Sequence, residues 1–198
     1  MNVNRQASKR ERRAPRPLSP AALEELALSY VARFATSATK LERYLARKLR
    51  ERGWEDATDG EENGPDVPAL VARFVDKGYV DDAAYARARS SDLLRRGYGA
   101  NRVNQSLGQA GIAEQVREAV APREASRRRA ALHLAGKRRF GPFGLETPDR
   151  AKREKQIAAM LRVGHSFDHA RAMIDAIDED SAREWVAEAE EWDDDDTA

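Results

Sequence analysis

Gly78-Tyr79-Val80-Asp81-Asp82-Ala83-Ala84-Tyr85-Ala86, taken with Arg95-Arg96-Gly97-Tyr98-Gly99-Ala100-Asn101-Arg102-Val103 downstream, reads as a helix stop, a helix start and a basic turn. A glycine at position 78 suits the left-handed conformation that ends a helix, and Asp81 is placed to accept hydrogen bonds from the free amides that open the next. The residues before it, Val67, Leu70, Val71, Phe74 and Val75, recur at helical spacing up to Gly78.

The same grammar extends outward in both directions. Leu23, Leu26, Ala27, Tyr30, Val31 and Phe34 form a helical stripe behind Ser19-Pro20, a cap followed by a first helical residue, and Leu41, Tyr44, Leu45 and Leu49 continue to Gly53. Tyr85 and Leu93 mark one further helix, Val103 and Leu107 another that stops at Gly111, and Val116 and Val120 a third that ends before Pro122. A long basic helix over roughly 123–140, one with Ile157, Met160 and Leu161 stopping at Gly164, and one capped by Ser166 with Ala170, Met173 and Ile174 complete a third trio. Leu45-x3-Leu49-x3-Gly53-Trp54, Val103-x3-Leu107-x3-Gly111-Ile112 and Gln156-x3-Met160-x3-Gly164-His165 repeat one pattern. A period of this size indicates modules that are each too small to bury a core alone. The expected fold is all-α, an elongated curved array of three tandem three-helix modules spanning 18–80, 81–122 and 123–177.

Residues 1–17 lack apolar periodicity and are expected to form a disordered basic arm. An acidic insertion at 55–66 and a Gly/Pro turn at 141–148 interrupt the repeat without forming modules. In the segment 178–198, Ser181-x-x-Glu184 has the form of a capping box, with Trp185, Ala189 and Trp192 following at helical spacing. The pattern predicts an acidic, partly helical tail whose aromatic stripe either docks on the third module or engages a partner or the basic surface. Asp193–Asp196 are expected to be disordered.

Composition limits the function. The chain has 198 residues, 35% of them charged and 7% aromatic, and no cysteine, which excludes disulfides, thiolate catalysis and Cys-based zinc sites. No apolar run reaches the roughly 18 residues a membrane span needs, so no membrane association and a cytoplasmic location are expected. The net charge of +1 hides segregation. Residues 1–20 carry six cations against one acid, residues 175–198 carry twelve acids against Arg183, and the middle retains an excess of seven positive charges. A basic body suggests an acidic or polyanionic partner.

Catalytic and cofactor motifs do not assemble. Gly97-Tyr98-Gly99-Ala100-Asn101-Arg102 has arginine where a dinucleotide fingerprint needs its third glycine, and Gly136-Lys137 is followed by Arg138 rather than by the Ser or Thr of a phosphate loop. His165 and His169 flank Asp168, but capping or packing is the simpler role for them than metal binding. No enzyme activity, cofactor or metal is expected.

Cations, by contrast, recur at equivalent places: Arg43, Lys48, Arg50 and Arg52 in the first module, and Arg87, Arg89, Arg95, Arg96 and Arg102 in the second. The third is densest, with Arg127, Arg128, Arg129, Lys137, Arg138, Arg139, Lys152, Arg153 and Lys155. Guanidinium groups present planar donors to phosphates and carboxylates alike, which suits a DNA backbone or an acidic protein surface. Solvated helix faces carry such residues too. The segregation of charge along the chain favours binding.

Gly78-Tyr79-Val80-Asp81-Asp82 with Tyr85-Ala86, Arg95-Arg96-Gly97-Tyr98-Gly99 with Arg102-Val103, and Leu107 with Gly111-Ile112 together resemble the central signature of the RecX family. The resemblance extends from about residue 21 to 175. The third module, with Lys137-Arg138-Arg139-Phe140-Gly141-Pro142-Phe143 and Arg153-Glu154-Lys155, looks like versions common in alphaproteobacterial members. Lys40, where an acidic residue often follows the Ser37 cap, His165, where an aromatic is usual, and the two acidic segments depart from the pattern. The resemblance implies a monomeric, non-enzymatic regulator of recombination and the SOS response that binds the RecA filament groove, contacts single-stranded DNA through its backbone, and limits ATP hydrolysis and strand exchange. The rival reading is a helical transcription regulator that uses one module as a helix-turn-helix. Against it stand the spread of cations over all modules and the lack of one obvious recognition helix.

Overall fold

The computed structural model describes residues 16–55 and 64–195. The first module contains α1 (Pro20–Val31), α2 (Ala38–Arg52) and α3 (Val67–Asp76), and the second α4 (Asp82–Arg95), α5 (Ala100–Gln109) and α6 (Glu114–Ala119). The third contains α7 (Glu124–Arg138), a 3-10 turn at Gly141–Phe143, α8 (Arg150–Arg162) and α9 (Phe167–Ile174), and α10 (Glu179–Asp195) follows. Strands are absent among the described residues; Leu18 and Trp54 form one isolated parallel bridge. The all-α, three-module reading therefore holds. Most of the basic arm, 1–15, and of the acidic insertion, 56–63, lies outside the described residues, whereas Arg16 accepts a hydrogen bond from Arg52 Nε at 2.9 Å and Asp66 caps α3.

Each module buries its own cluster. Leu23, Ala27, Leu41, Leu45, Leu70 and Phe74 close the first, Ala86, Leu93, Val103, Leu107 and Ile112 the second, and Leu134, Ile157, Met160, Met173 and Ile174 the third. Phe74 is 1% exposed, and burial of a side chain of this kind stabilises by about 1.5–3 kcal/mol. Three small cores in place of one large one leave each module reliant on its junctions.

Five of the helix stops are built alike, whereas the Gly53 amide bonds Leu49 O at 2.7 Å instead. At Gly78 the amide bonds Val75 O at 2.9 Å and the Tyr79 amide bonds Phe74 O at 2.9 Å, and the Tyr79 ring then meets Phe74 edge-on at 5.5 Å. Gly78 has φ +73°, a conformation that a β-branched residue adopts only with strain. The same pair of backbone bonds recurs at Gly97-Tyr98, Gly111-Ile112 and Gly164-His165. At the end of α7 it is made by Arg139-Phe140, where Arg139 takes φ 54° without being glycine.

These stops join the modules. The end of α5 meets the start of α2: Ser37 Oγ donates to Ala110 O at 2.6 Å, and Thr39 Oγ1 to Gly111 O at 3.4 Å. Asp82, at the start of α4, accepts the Ala38 amide at 2.9 Å, so the second module supplies the acidic group that the Lys40 position lacks. The end of α8 meets the start of α5 in turn. Gly99 N donates to Val163 O at 3.0 Å, Asn101 N to Gly164 O at 3.1 Å, and the buried His165 ring bonds Gly97 O at 3.0 Å. A Cβ on Gly99 would lie 2.2 Å from Gly164 C and His165 N, so the two backbones touch where no side chain fits.

The tail departs from expectation in two ways. α10 is one helix that runs through Asp193 to Asp195, three of the four residues expected to be disordered, and Asp196 lies outside the described residues. Asp193 Oδ2 accepts the Ala125 amide at 3.2 Å and so provides the N-terminal cap that α7 lacks locally. Ser181 is also not the capping residue: Asp178 Oδ1 accepts from the Ser181 amide at 2.8 Å, which starts the helix earlier and holds that carboxyl below its usual range. Of the two open readings for the aromatic stripe, docking on the third module is the observed one for Ala189, which is buried, and Trp185, which packs against the third core, whereas Trp192 is 62% exposed.

Gly99→Ala should lower unfolding stability by about 1–3 kcal/mol, since φ at Gly99 is an ordinary −80° and only the inter-module contact forbids the methyl. Gly108→Ala, on the open side of the same helix, should be neutral or stabilising. Urea denaturation of both variants checks this, and equal behaviour would remove the backbone contact from the account.

Candidate polyanion-binding surface

Lys40, Arg43, Arg47 and Arg50 stand on one face of α2 at i, i+3, i+7 and i+10, opposite the buried Leu41 and Leu45. Arg89 of α4 faces them across the first junction. Together with Tyr30, Tyr44 and Tyr85 they line an open groove of about 720 Å³, none of whose lining residues is acidic. Partners from the second module hold the cations in place: Arg43 Nη1 donates to Gln109 O at 2.9 Å, Lys40 Nζ to Tyr85 Oη at 3.2 Å, and Arg89 Nε to Ser106 Oγ at 3.1 Å. The nearest carboxylates sit at the periphery, Glu51 at 3.7 Å from Arg47 and Asp92 at 3.5 Å from Arg89. The groove therefore presents donors and positive charge with little internal compensation, which is the chemistry of a phosphate or carboxylate site.

The remaining expected cations are distributed. Lys48 turns away to Glu51 at 2.6 Å, and this hydrogen bond is the main cause holding the Glu51 carboxyl below its usual range. Arg87 lines a separate hollow with Ser90, Val116 and Pro122. Arg95 and Arg96 are well exposed, share Asp92 at 4.0 and 3.6 Å, and lie on the rim at the end of α4. Arg102 bonds Gln105 Oε1 at 2.7 Å beside the second junction. Lys137, Arg138, Arg139 and Lys152 are exposed on the third module. Arg127 is drawn in to Pro122 O at 2.7 Å, and Arg153 forms a two-pronged pair with Asp175 whose hydrogen bond lowers the Asp175 carboxyl.

Arg128 is a correction. It is buried, not part of a binding face: it bonds Glu124 Oε1 at 2.8 Å and Trp185 O at 2.6 Å, and its guanidinium lies 4.6 Å from the Trp185 ring centre. Its neighbour Arg129, also read as a surface cation, pairs with Glu190 at 3.2 Å. Around Arg128 the Glu124 carboxyl, which burial alone would raise, is held below the ordinary range by hydrogen bonds from Arg128 and His169. His169 meets Glu124 at 2.9 Å while His165 meets Gly97, so the two histidines serve different contacts. No cluster of three or more metal-ligating side chains occurs among the described residues.

The sequence reading missed Lys40, Arg47 and the three tyrosines. Their signal was present in the i, i+3, i+7, i+10 spacing along α2, with Tyr44 on the same face. What was not readable was that the first junction would bring Tyr85 and Arg89 opposite.

Three tandem helical modules, joined stop to start and carrying a cation-rich groove at a junction, define a repeat-built all-helical protein. Residues 81–120 match the family model for the RecX second three-helix domain. The chain is 35% identical over 175 residues to the regulatory protein RecX of Myxococcus xanthus, an alignment covering 85% of this chain and 93% of that protein. It is 28% identical to that of Vibrio parahaemolyticus over 69% of this chain and 81% of the relative. The crystal structure of RecX from Lactobacillus salivarius shares the fold, with a TM-score of 0.59, 17% identity, and coverage of 84% of this chain and 96% of that one. The chain belongs to the RecX family of regulatory proteins.

Two outcomes follow from the buried polar groups. Arg128→Ala should cost about 2–3 kcal/mol, the loss of hydrogen bonds to a charged group, and should alter the fluorescence of Trp185 by freeing α10. Unchanged melting and emission would mean that α10 is held by apolar contacts alone. Burial lowers the His165 pKa below the ordinary value of about 6.5 despite the bond to Gly97 O, so the unfolded chain takes up the proton first as pH falls. Stability should therefore be unaffected by this group above about pH 7 and decline as pH falls through about 6.5 towards the depressed folded value. His165→Gln should flatten that decline in urea midpoints measured at several pH values.

Proposed function

We propose that this chain regulates homologous recombination and the SOS response by lying along the groove of the RecA filament on single-stranded DNA, as a monomer, and restraining ATP hydrolysis and strand exchange. The observation that carries the reading is relatedness to a regulatory protein RecX over 93% of that protein's length, which spans all three modules rather than one. The physical arrangement supports it. A stop-to-start array distributes cations along its length, and such an array is suited to following successive protomers of a filament rather than gripping one compact partner. The groove cations, Arg95 and Arg96, and the Lys137–Arg139 run are the exposed groups assigned to acidic filament surface and to DNA backbone. Arg127, Arg128 and Arg153 serve the fold. Its action is binding, not catalysis, and it is placed in the cytoplasm with its partner.

Adding the purified protein to preformed RecA filaments should slow ATP turnover. Arg95→Glu combined with Arg96→Glu should raise the concentration needed by about tenfold or more, with helicity unchanged and the difference shrinking as salt rises. Normal ATP turnover in the presence of saturating wild-type protein would overturn the reading, and sequence-specific binding to a duplex operator would replace it with a transcription regulator.

A further inference from the structure

We infer that the groove between the first and second modules takes unpaired nucleotides, with bases stacked on its tyrosines and phosphates on its cations. This deepens the nucleic-acid part of the proposed function, which by itself requires only backbone contacts. A surface meant for carboxylates or duplex phosphates needs charge alone. This one interleaves charge with aromatic rings at the junction.

Tyr44 stacks on Tyr30 with ring centres 4.1 Å apart and planes 19° from parallel, and Phe34, 55% exposed, continues the row at 5.3 Å from Tyr30. Arg47, which lines the groove, lies 5.7 Å from the Tyr44 ring centre. Tyr85 stands on the opposite wall, contributed by the second module, with Lys40 Nζ 5.1 Å from its ring centre and no aromatic neighbour among the described residues. Ser106 and Gln109, beside it, offer a hydroxyl and an amide to base edges. Aromatic faces bordered by arginine and lysine in a positively charged channel are the general means by which proteins hold single strands without reading sequence. A duplex, whose bases are already stacked on one another, gains nothing from the rings. An acidic peptide would satisfy the cations and leave the rings unused. The groove thus favours an unpaired strand over either, and because its walls belong to different modules, an occupant also ties the first junction together.

The test uses the full chain without RecA, so that it is separate from the regulatory reading. Fluorescence anisotropy compares a labelled oligothymidylate of about twelve nucleotides, an abasic strand of equal length and charge, a duplex, and a polyglutamate peptide. The base-bearing strand should bind about tenfold or more tightly than the abasic one, a difference expected from one or two stacked bases. Tyr85→Leu should bring its affinity close to the abasic level and leave abasic binding unchanged, while Tyr85→Phe retains it. Arg43→Gln with Arg47→Gln should weaken both strands and flatten the dependence on salt. Equal binding of base-bearing and abasic strands by the wild-type protein overturns the inference without requiring any variant to fold. Tighter binding of polyglutamate than of either strand assigns the groove to an acidic protein segment instead. If Tyr85→Leu loses base preference yet still slows RecA turnover, the groove stands apart from the filament contact. If the wild-type protein shows base preference and has no effect on RecA, the regulatory reading fails and the groove remains.

Discussion

The contact on which the arrangement depends is the meeting of the Gly99 and Gly164 backbones, closer than any side chain would permit. Modules with small separate cores have little apolar area to offer each other, so their junctions rest on hydrogen bonds between the end of one helix and the start of another. Such bonds need short distances and exposed peptide groups. A left-handed glycine turn supplies both, since it leaves the final carbonyl uncovered and removes the side chain that would hold the neighbour away. The first junction solves the same problem with Ser37 and Thr39 hydroxyls on the Ala110 and Gly111 carbonyls. The groove lies at that junction, so its shape follows from these hydroxyl-to-carbonyl contacts and not from the cations that line it.

Helical periodicity and glycine stops made most of the fold legible, because both are local. Ser19, Ser37, Asp81 and Ser166 cap the helices whose starts they mark, and the repeat built on Gly53, Gly111 and Gly164 corresponds to three equivalent middle helices. The errors fall where a local rule met a distant partner. Ser181 and Glu184 have the spacing of a capping box, yet Asp178 starts the helix. Asp193 reads as part of a charged tail, yet it closes the uncapped amide end of α7. Arg128 has the composition of a surface cation, and only the return of α10 over α7 explains its burial. The groove was half legible: the α2 stripe is a spacing, but Tyr85 and Arg89 reach it through tertiary structure.

The acidic helix changes the meaning of the charge segregation. Twelve acids near the C-terminus look like an independent, solvated segment. In the fold, part of that charge is spent on α7, where Glu188 and Glu190 meet Arg128 and Arg129 and the tryptophans cover the Arg128 guanidinium. The positive surface that remains is consequently concentrated at the first junction, on the rim at the end of α4 and on the Lys137–Arg139 run.

The bridge between Leu18 and Trp54 has a further consequence for assembly. In two junctions the carbonyl of a stop glycine, Gly111 or Gly164, is met by a donor from the module before it. Gly53 ends the first such helix, and its carbonyl is met from within its own module: the Leu18 amide bonds it at 2.9 Å, and the Glu55 amide closes the bridge on Leu18 O at 3.0 Å. A head-to-tail contact that repeats within a chain is also one that separate copies can propagate without limit, since nothing in its symmetry closes it. The segment around Leu18 already occupies the Gly53 carbonyl, so that helix end is closed to the junction contact that Gly111 and Gly164 make.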